Sequence, residues 1–192
     1  SNPAIELYTT PPNLGSAWPF RLRHVWHEAA ANDLIVAVNG VMFTTWARKS
    51  LVNREIYLSA DQAANNHPIA VDGRAIPTGS KCLMIWADEQ GVFHARSPFS
   101  TEQPALADAW WALAGGYRFI NHGNPTEFGF KKPGQATPRT VIGVEPGSRR
   151  IWLLVFEKAD RALVTRTLVD LNVPSAINVD GGGSSCFVIG SE

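Results

Sequence analysis

Three consecutive glycines lie inside the run Asp-Gly-Gly-Gly-Ser-Ser at residues 180–185. Consecutive glycines cost conformational entropy on folding, so a plain turn does not need three of them. They allow positive φ angles, by which successive amides can converge on an anion, and they let the backbone approach a ligand closely. An apolar strand is predicted at residues 176–179 and another at 186–189. The run is therefore predicted to form a pocket between two strands that binds a phosphate or a sugar.

The strand after the glycines excludes two nucleotide-binding loops. A P-loop requires a lysine after the glycines and a helix whose N-terminus faces the phosphate. The phosphate-binding turn of Rossmann folds also leads into a helix. Here the glycines are followed by Ser-Ser-Cys-Phe-Val-Ile. The remaining alternative to a binding pocket is a glycine-rich hairpin loop without a ligand.

The length and the hydrophobic pattern predict one α+β domain. The chain has 192 residues, of which 45% are apolar, so it can bury a sizeable core. We expect a single domain over residues 1–192, with residues 1–15 as an N-terminal extension that includes a tag remnant. We predict a mixed, largely antiparallel sheet flanked by about three helices. The predicted helices cover residues 20–31, 102–114 and 161–171, and two hairpins are predicted at 81–96 and 140–156.

The charge balance argues against one class of partner. Lys plus Arg number 17, as do Asp plus Glu, so the chain has no net charge and nucleic-acid binding is not expected. No stretch is long and apolar enough to span a bilayer. Cys82 and Cys186 lie in apolar runs, so buried free thiols are expected, and a single disulfide is the alternative.

Polar residues also lie at the ends of other predicted strands. Asn39-Gly40 follows the apolar run at residues 34–38, as the glycine run follows its own strand. Arg139 precedes another strand, and its guanidinium is suited to bind a phosphate through two parallel hydrogen bonds. The alternatives are a simple turn at Asn39-Gly40 and a surface salt bridge at Arg139.

A polar loop between strands contains His122 and Glu127. The pKa of an ordinary histidine lies near neutrality, so His122 is a candidate general acid or base. The alternative is a solvated loop histidine without a chemical role.

Four sequence motifs together resemble the phosphodiester glycosidase family. They are Asn-Gly-Val-Met-Phe at residues 39–43, Gly-Gly-Tyr-Arg-Phe-Ile-Asn-His-Gly at 115–123, Pro-Arg-Thr-Val-Ile-Gly at 138–143, and Asn-Val-Asp-Gly-Gly-Gly-Ser at 178–184. Their order and spacing match the family across residues 29–189. The chain departs from the family pattern at Val41, where the family has a second glycine, and at Tyr117-Arg118, where it has Gly-Pro.

The resemblance implies a hydrolase that cleaves the bond between a sugar's anomeric carbon and a phosphate oxygen. Arg139, the glycine amides and Ser184 would stabilise charge on the phosphate. Asp180 would act as the base or nucleophile at the anomeric carbon, with Glu127 as its partner. The predicted catalytic residues are Asp180, Arg139 and Glu127. The predicted substrate-binding residues are Asn39, Gly40, His122, Thr140, Asn178, Gly181, Gly182, Gly183, Ser184 and Ser185.

The resemblance also sets expectations about cofactors and partners. No protein metal site is predicted, and the sequence leaves open whether calcium or magnesium assists catalysis. The expected partner is a small molecule or glycan that carries a sugar-1-phosphate, and the oligomeric state is left open. A bacterial protein outside the cytoplasm, periplasmic or secreted, is expected.

Two other functions compete with this one. A non-catalytic module that binds phosphoglycans through a degenerate site would account for Val41. An ordinary glycosidase would need a clear pair of carboxylates, which the sequence does not offer.

Overall fold

The computed structural model describes residues 20–21, 25–40, 43–45, 49–52, 55–58, 62–65, 69–71, 74–76, 83–95, 109–115, 117–126 and 133–190. These residues form two α-helices and seventeen β-strands, and every strand pair among them is antiparallel. The helices are α1 (Val25–Ala31) and α2 (Arg161–Asp170). The strands are β1 (Phe20–Arg21), β2 (Val36–Val38), β3 (Phe43–Thr45), β4 (Lys49–Val52), β5 (Glu55–Leu58), β6 (Gln62–Asn65), β7 (Ile69–Val71), β8 (Arg74–Ile76), β9 (Leu83–Ala87), β10 (Phe93–Ala95), β11 (Trp111–Gly115), β12 (Tyr117–Asn121), β13 (Asn124–Pro125), β14 (Thr137–Val144), β15 (Ile151–Ala159), β16 (Ser175–Asn178) and β17 (Phe187–Ile189).

Two five-stranded sheets carry most of these strands. Sheet I has the order β10-β9-β11-β7-β8, and sheet II has the order β13-β12-β16-β14-β15. Three smaller sheets pair β1-β6-β3, β17-β2 and β4-β5.

The main hydrophobic core lies between sheet I and sheet II. Alternate side chains of a strand point to opposite faces, so each sheet contributes every second residue to this layer. The buried members are Ile85, Ala87, Phe93, Trp111 and Leu113 from sheet I, and Ile142, Val144 and Ile177 from sheet II, with Val179 just after β16. The intervening residues Met84 and Ala112 form a separate cluster on the other face of sheet I.

Helix α2 covers the outer face of sheet II. Its buried residues Val164 and Leu168 pack in one cluster with Phe119, Val141 and Ala176 of the sheet. Asp160 is the N-cap of the helix, and its carboxylate accepts a hydrogen bond from the Leu163 N–H at 2.8 Å. The helix predicted at residues 161–171 is therefore confirmed to within one residue.

The predicted α+β fold with about three flanking helices is wrong, because the described residues are mostly β. The helix predicted at 20–31 is reduced to the seven residues of α1, and Phe20–Arg21 form a strand. The helix predicted at 102–114 is wrong from Trp111 onward, where β11 begins; residues 101–108 lie outside the described residues. Trp111 and Leu113 face one core and Ala112 faces another, so the period is two and not 3.6.

Both predicted hairpins are confirmed. β9 pairs with β10, and β14 pairs with β15. The turn of the second hairpin has a hydrogen bond from the Ser148 N–H to the Glu145 carbonyl at 3.1 Å, and Gly147 has a φ of 80°. That geometry is typical of a type II turn with glycine in its third position. Within the described residues, neither helix has the length and apolarity needed to cross a membrane.

Candidate functional site

Four strands bring the polar motifs to one end of sheet II. Asn178, the last residue of β16, lies opposite Val141 in β14, so the glycine run leaves the sheet beside Thr140. β17 pairs with β2 with Phe187 opposite Val38, and this places the return from the glycine run beside Asn39. The strand ends therefore bring together segments that are about 100 to 150 residues apart in sequence.

The carboxamide of Asn39 lies at the centre of this cluster. Its side chain is buried, and its Nδ2 donates a hydrogen bond to the Asp180 carbonyl at 2.8 Å. Its Oδ1 accepts hydrogen bonds from the Thr140 hydroxyl at 2.6 Å and from the Cys186 N–H at 3.0 Å. One side chain thus joins β14 to both ends of the glycine run.

Asp180 is fixed through its backbone and through one carboxylate oxygen. Its N–H donates to the Gly40 carbonyl at 3.0 Å, and its Oδ1 accepts the Gly181 N–H at 2.8 Å. Within the described part of the chain, Oδ2 accepts no hydrogen bond. A partly buried carboxylate with one held oxygen and one available oxygen is suited to act on a ligand as a base or nucleophile.

The glycine run forms a single turn of 3₁₀ helix at Gly182–Ser184. Gly182 has a φ of 64°, which an L side chain adopts only with strain. The N–H groups of Gly182 and Gly183 make no hydrogen bond to any described residue. A β-carbon on Gly181 would lie 3.2 Å from the Pro138 carbonyl oxygen, so the run passes directly over residues 138–139. This loop presents two adjacent N–H donors, as an anion-binding nest does.

Arg139 lies beside the glycine run, but its side chain is on the other face of sheet II from Thr140. Arg139 pairs with Phe156, which packs in the cluster under α2, and directly paired residues share a face. Its Nε donates to the Ala159 carbonyl at 3.2 Å and its Nη2 donates to the Gln135 carbonyl at 3.1 Å. The guanidinium is thus held at the glycine end of the sheet, on the α2 side.

Two further predicted residues have buried polar atoms without partners among the described residues. Asn178 is buried and its Nδ2 donates to the Val179 carbonyl, while its Oδ1 has no partner. The hydroxyl oxygen of Ser185 is also buried without a partner. Their predicted contact with substrate stays a prediction.

The structure does not bring His122 to this cluster. His122 is exposed at the tip of the β12–β13 hairpin, and the adjacent Gly123 N–H donates to the Pro174 carbonyl, just before β16 begins. His122 thus lies at the end of sheet II where β16 begins, and the glycine run lies at the end where β16 stops. The two ends are three residue steps apart, or roughly 10 Å at about 3.3 Å per residue. Glu127 and Val41 lie outside the described residues.

Arg118 is a buried cation in β12, the strand beside β16, that sequence reasoning did not select. It lies in β12 opposite Ile177, the residue is 3% exposed, and its Nη1 donates to Asn121 Oδ1. Burial removes water from the guanidinium and lowers its pKa from the usual range to about 10. The available signal was a single arginine inside an otherwise apolar strand, which is unusual because arginine is rarely buried.

Other features of the described residues lie apart from this cluster. A surface depression of about 410 Å³ lies on the β14–β15 hairpin, lined by Glu145, Ser148, Arg149, Arg150 and Ile151. Because Val144 pairs with Ser175, this hairpin is at the opposite end of sheet II from the glycine run. Cys186 is a free, partly buried thiol, and Cys82 lies outside the described residues. Among the residues that the structure describes, no three His, Cys, Asp or Glu side chains are grouped to hold a metal ion.

Comparisons with known proteins address the fold and the family. The catalytic domain of zebrafish N-acetylglucosamine-1-phosphodiester alpha-N-acetylglucosaminidase, auto-inhibited by its pro-peptide, aligns with a TM-score of 0.64 and 21% identity over 88% of this chain and 57% of that chain. A hypothetical protein from Synechocystis aligns with a TM-score of 0.51 and 12% identity over 94% of this chain and 54% of that chain. At these identities the likeness shows the fold alone, and the chain spans just over half the length of either structure.

The family model gives the remaining evidence. A comparison with curated proteins gives no match. The model described as phosphodiester glycosidase matches residues 32–192, which is most of the chain and includes all four motifs. The resemblance predicted from those motifs is confirmed: the chain belongs to the phosphodiester glycosidase family.

Proposed function

We propose that this protein is a hydrolase that cleaves the bond between the anomeric carbon of a sugar and a phosphate oxygen of a phosphodiester. The observation that carries the proposal is the cluster around Asn39, in which three separate family motifs meet through direct hydrogen bonds. A family match that covers most of the chain supports the same reaction class.

The substrate chemistry fits the groups at this end of sheet II. A phosphate ester is a weak base, so it leaves without the strong general acid that an ordinary glycosidase needs. The site must instead stabilise charge on the phosphate, and preorganised N–H donors do this well. The unpaired N–H groups of Gly182 and Gly183 are the proposed donors. Arg139 is the proposed cation, and its bonds to the Ala159 and Gln135 carbonyls hold the guanidinium at the same end of sheet II.

Asp180 is the proposed base or nucleophile at the anomeric carbon. Its Oδ1 is occupied by the Gly181 N–H, which leaves Oδ2 to face a ligand. Glu127 remains the proposed second carboxylate. Our mechanism requires no contribution from His122.

An isotope experiment tests which bond breaks. A panel of sugar-1-phosphodiesters is hydrolysed in water enriched in ¹⁸O, and both products are analysed by mass spectrometry. We expect the label in the released sugar and none in the phosphate monoester. Water attacks the anomeric carbon, either directly or when it hydrolyses a glycosyl–carboxylate intermediate, so the phosphate keeps its own oxygens. Label in the phosphate monoester would mean that the P–O bond breaks, and it would refute the glycosidase mechanism.

Two substitutions test the assigned residues. We expect Asp180→Asn to lower kcat by about 100-fold or more, since a carboxylate that acts in the reaction typically contributes that much. Arg139→Ala should lower kcat/KM by roughly 10- to 100-fold, and activity within about threefold of wild type would exclude its role. Arg149→Ala is the matched control, because this exposed arginine lies at the opposite end of sheet II. Its activity should be unchanged.

The same assays test the competing function, a non-catalytic binding module, and whether catalysis needs a divalent cation. Binding of the substrates without release of sugar would favour the non-catalytic phosphoglycan-binding module. Activity before and after chelation, with calcium or magnesium restored separately, decides whether a divalent cation takes part. A site of action outside the cytoplasm, as the resemblance implied, is part of the proposal and is checked by fractionation of the source cells.

A further inference from the structure

The Asn39 side chain makes hydrogen bonds to β14, to the residue before the glycine run and to the residue after it. Among the described residues, no other side-chain hydrogen bond joins these three segments. Asn39 is 8% exposed, and Thr140, which donates to its side chain, is fully buried. Both lone pairs of Asn39 Oδ1 are used, by the Thr140 hydroxyl and the Cys186 N–H. One N–H of Nδ2 is used by the Asp180 carbonyl. The carboxamide is therefore mostly committed to protein groups.

The partners of this carboxamide mark the two ends of the glycine loop, residues 181–185. The Asp180 carbonyl is immediately before the loop, and the Cys186 N–H is immediately after it. The Gly40 carbonyl accepts the Asp180 N–H, so residues 39–40 hold both backbone polar groups of Asp180.

Inside the loop the hydrogen bonds are long. The Ser184 N–H donates to the Gly181 carbonyl at 3.3 Å and the Ser185 N–H donates to the Gly182 carbonyl at 3.2 Å. Both distances lie at or beyond the long end of normal N–H···O bonds. Three glycines add little intrinsic preference for one conformation. The shape of this loop is therefore imposed by the contacts at its two ends.

We propose that Asn39 is a positioning residue: its carboxamide, anchored by Thr140, sets the separation of the loop ends and thereby aims the Asp180 carboxylate and the Gly182 and Gly183 N–H groups, without contacting the substrate. This inference rests on the proposed function for its effect on catalysis. It replaces the substrate-binding role that the sequence suggested for Asn39 and Thr140.

The pattern of donors and acceptors explains why the residue is asparagine. The site requires one donor toward a carbonyl oxygen and one acceptor toward an N–H and a hydroxyl, on a side chain of fixed length. Aspartate has the same shape, but it would place an oxygen against the Asp180 carbonyl. Alanine would leave the Cys186 N–H and the Thr140 hydroxyl without their acceptor.

Hydrogen exchange of the ligand-free protein tests directly whether Asn39 holds the two ends of the glycine loop. We compare Asn39→Asp, Asn39→Ala and Thr140→Val, which removes only the anchoring hydroxyl in a nearly isosteric change. The matched control is Asn124→Asp, which alters an asparagine whose Nδ2 donates to the His122 carbonyl at 3.1 Å, at the other end of sheet II. Exchange is read in peptides that cover residues 180–186, and peptides of α2 report global opening.

We expect exchange at residues 180–186 to accelerate by about 10-fold in Asn39→Asp and Asn39→Ala, and by a few-fold in Thr140→Val, with α2 unchanged. Asn124→Asp should leave these peptides as in wild type. Unchanged exchange in all three site variants would overturn the proposal whatever their activity. If Asn39→Ala does not fold, the isosteric Asn39→Asp and Thr140→Val still decide the question.

Kinetics separates positioning from substrate contact. On the sugar-1-phosphodiesters, a positioning role lowers kcat by about 10-fold in Asn39→Asp and leaves KM within about twofold. A raised KM with kcat unchanged would overturn the proposal, because it would make Asn39 a substrate contact. If wild-type protein releases no sugar, the proposed function fails, and the exchange rates alone still decide whether Asn39 holds the loop.

Discussion

Gly115 provides a direct test of how closely the two main sheets approach beside the site. This glycine ends β11 of sheet I, and a β-carbon placed on it would overlap the Asn178 carbonyl oxygen of sheet II. The same β-carbon would lie 2.9 Å from the β-carbon of Ile177. The φ of Gly115 is not positive, so a Gly115→Ala substitution adds a steric conflict without backbone strain. The conflict is with backbone atoms of a central strand, which cannot rotate away.

The expected cost follows from overpacking. Extra methyl groups in a packed interior cost typically 1–3 kcal/mol, and a clash with backbone belongs at the upper end, at about 3 kcal/mol. That free energy lowers the ratio of folded to unfolded protein by roughly 150-fold. With a urea m-value of about 2 kcal/mol/M, the unfolding midpoint should fall by about 1.5 M.

Urea unfolding followed by tryptophan fluorescence measures this shift. Gly134→Ala is the control, because a β-carbon there meets nothing within 4 Å and the φ of Gly134 is not positive. The control should stay within about 0.5 kcal/mol of wild type, as surface substitutions usually do. A Gly115→Ala midpoint equal to that of wild type would refute the close approach of β11 to β16. An equal loss in Gly134→Ala would show that the steric argument is not the cause.

Two further predictions concern the glycine loop and the β9–β10 hairpin. Gly182→Ala should cost about 1 kcal/mol of stability because the φ of Gly182 is positive, whereas Gly183→Ala should not. Equal urea unfolding midpoints for the two variants would contradict this. Burial raises the pKa of Asp88, but hydrogen bonds from His94 and from backbone N–H groups lower it more, so its folded-state pKa lies below the usual value. The resulting stabilisation is present above the unfolded pKa of about 3.9 and is lost as the pH falls through the folded pKa. In thermal unfolding, Asp88→Asn should therefore be less stable than wild type by about 1 kcal/mol at pH 7. This difference in stability should disappear as the pH falls below 4. A difference that does not change with pH would contradict the link between stability and the Asp88 pKa.

The meeting of Asn39 with Asp180 could be predicted because both residues end apolar strands. Polar side chains at neighbouring strand ends commonly lie together, and the family motifs added Thr140 to the same group. The hydrogen-bond pattern could not be predicted in this way. The Cys186 N–H is a backbone group that no sequence motif marks, yet it takes one of the two lone pairs of Asn39 Oδ1.

The face on which Arg139 lies depends on register, which the sequence does not reveal. The pairing of β14 with β15 shifts between Thr137 and Arg139, and a shift of one residue moves a side chain to the other face. The strand at Trp111–Gly115 was missed for a related reason. Alanine and leucine favour helices locally, but pairing with β9 and burial of Trp111 and Leu113 outweigh that preference.

The bond between Asn39 and the Cys186 N–H spans 147 residues, and it has a consequence for biosynthesis. During translation, β2 is made well before β17, its partner in the two-stranded sheet, and it can pair only after the residues between the two strands have been made. Contacts of such long sequence separation form slowly because a large loop must close first. The cluster around Asn39 is thus expected to assemble only after β17 has been made, so fragments that lack β2 or β17 should lack the cluster and with it the proposed activity.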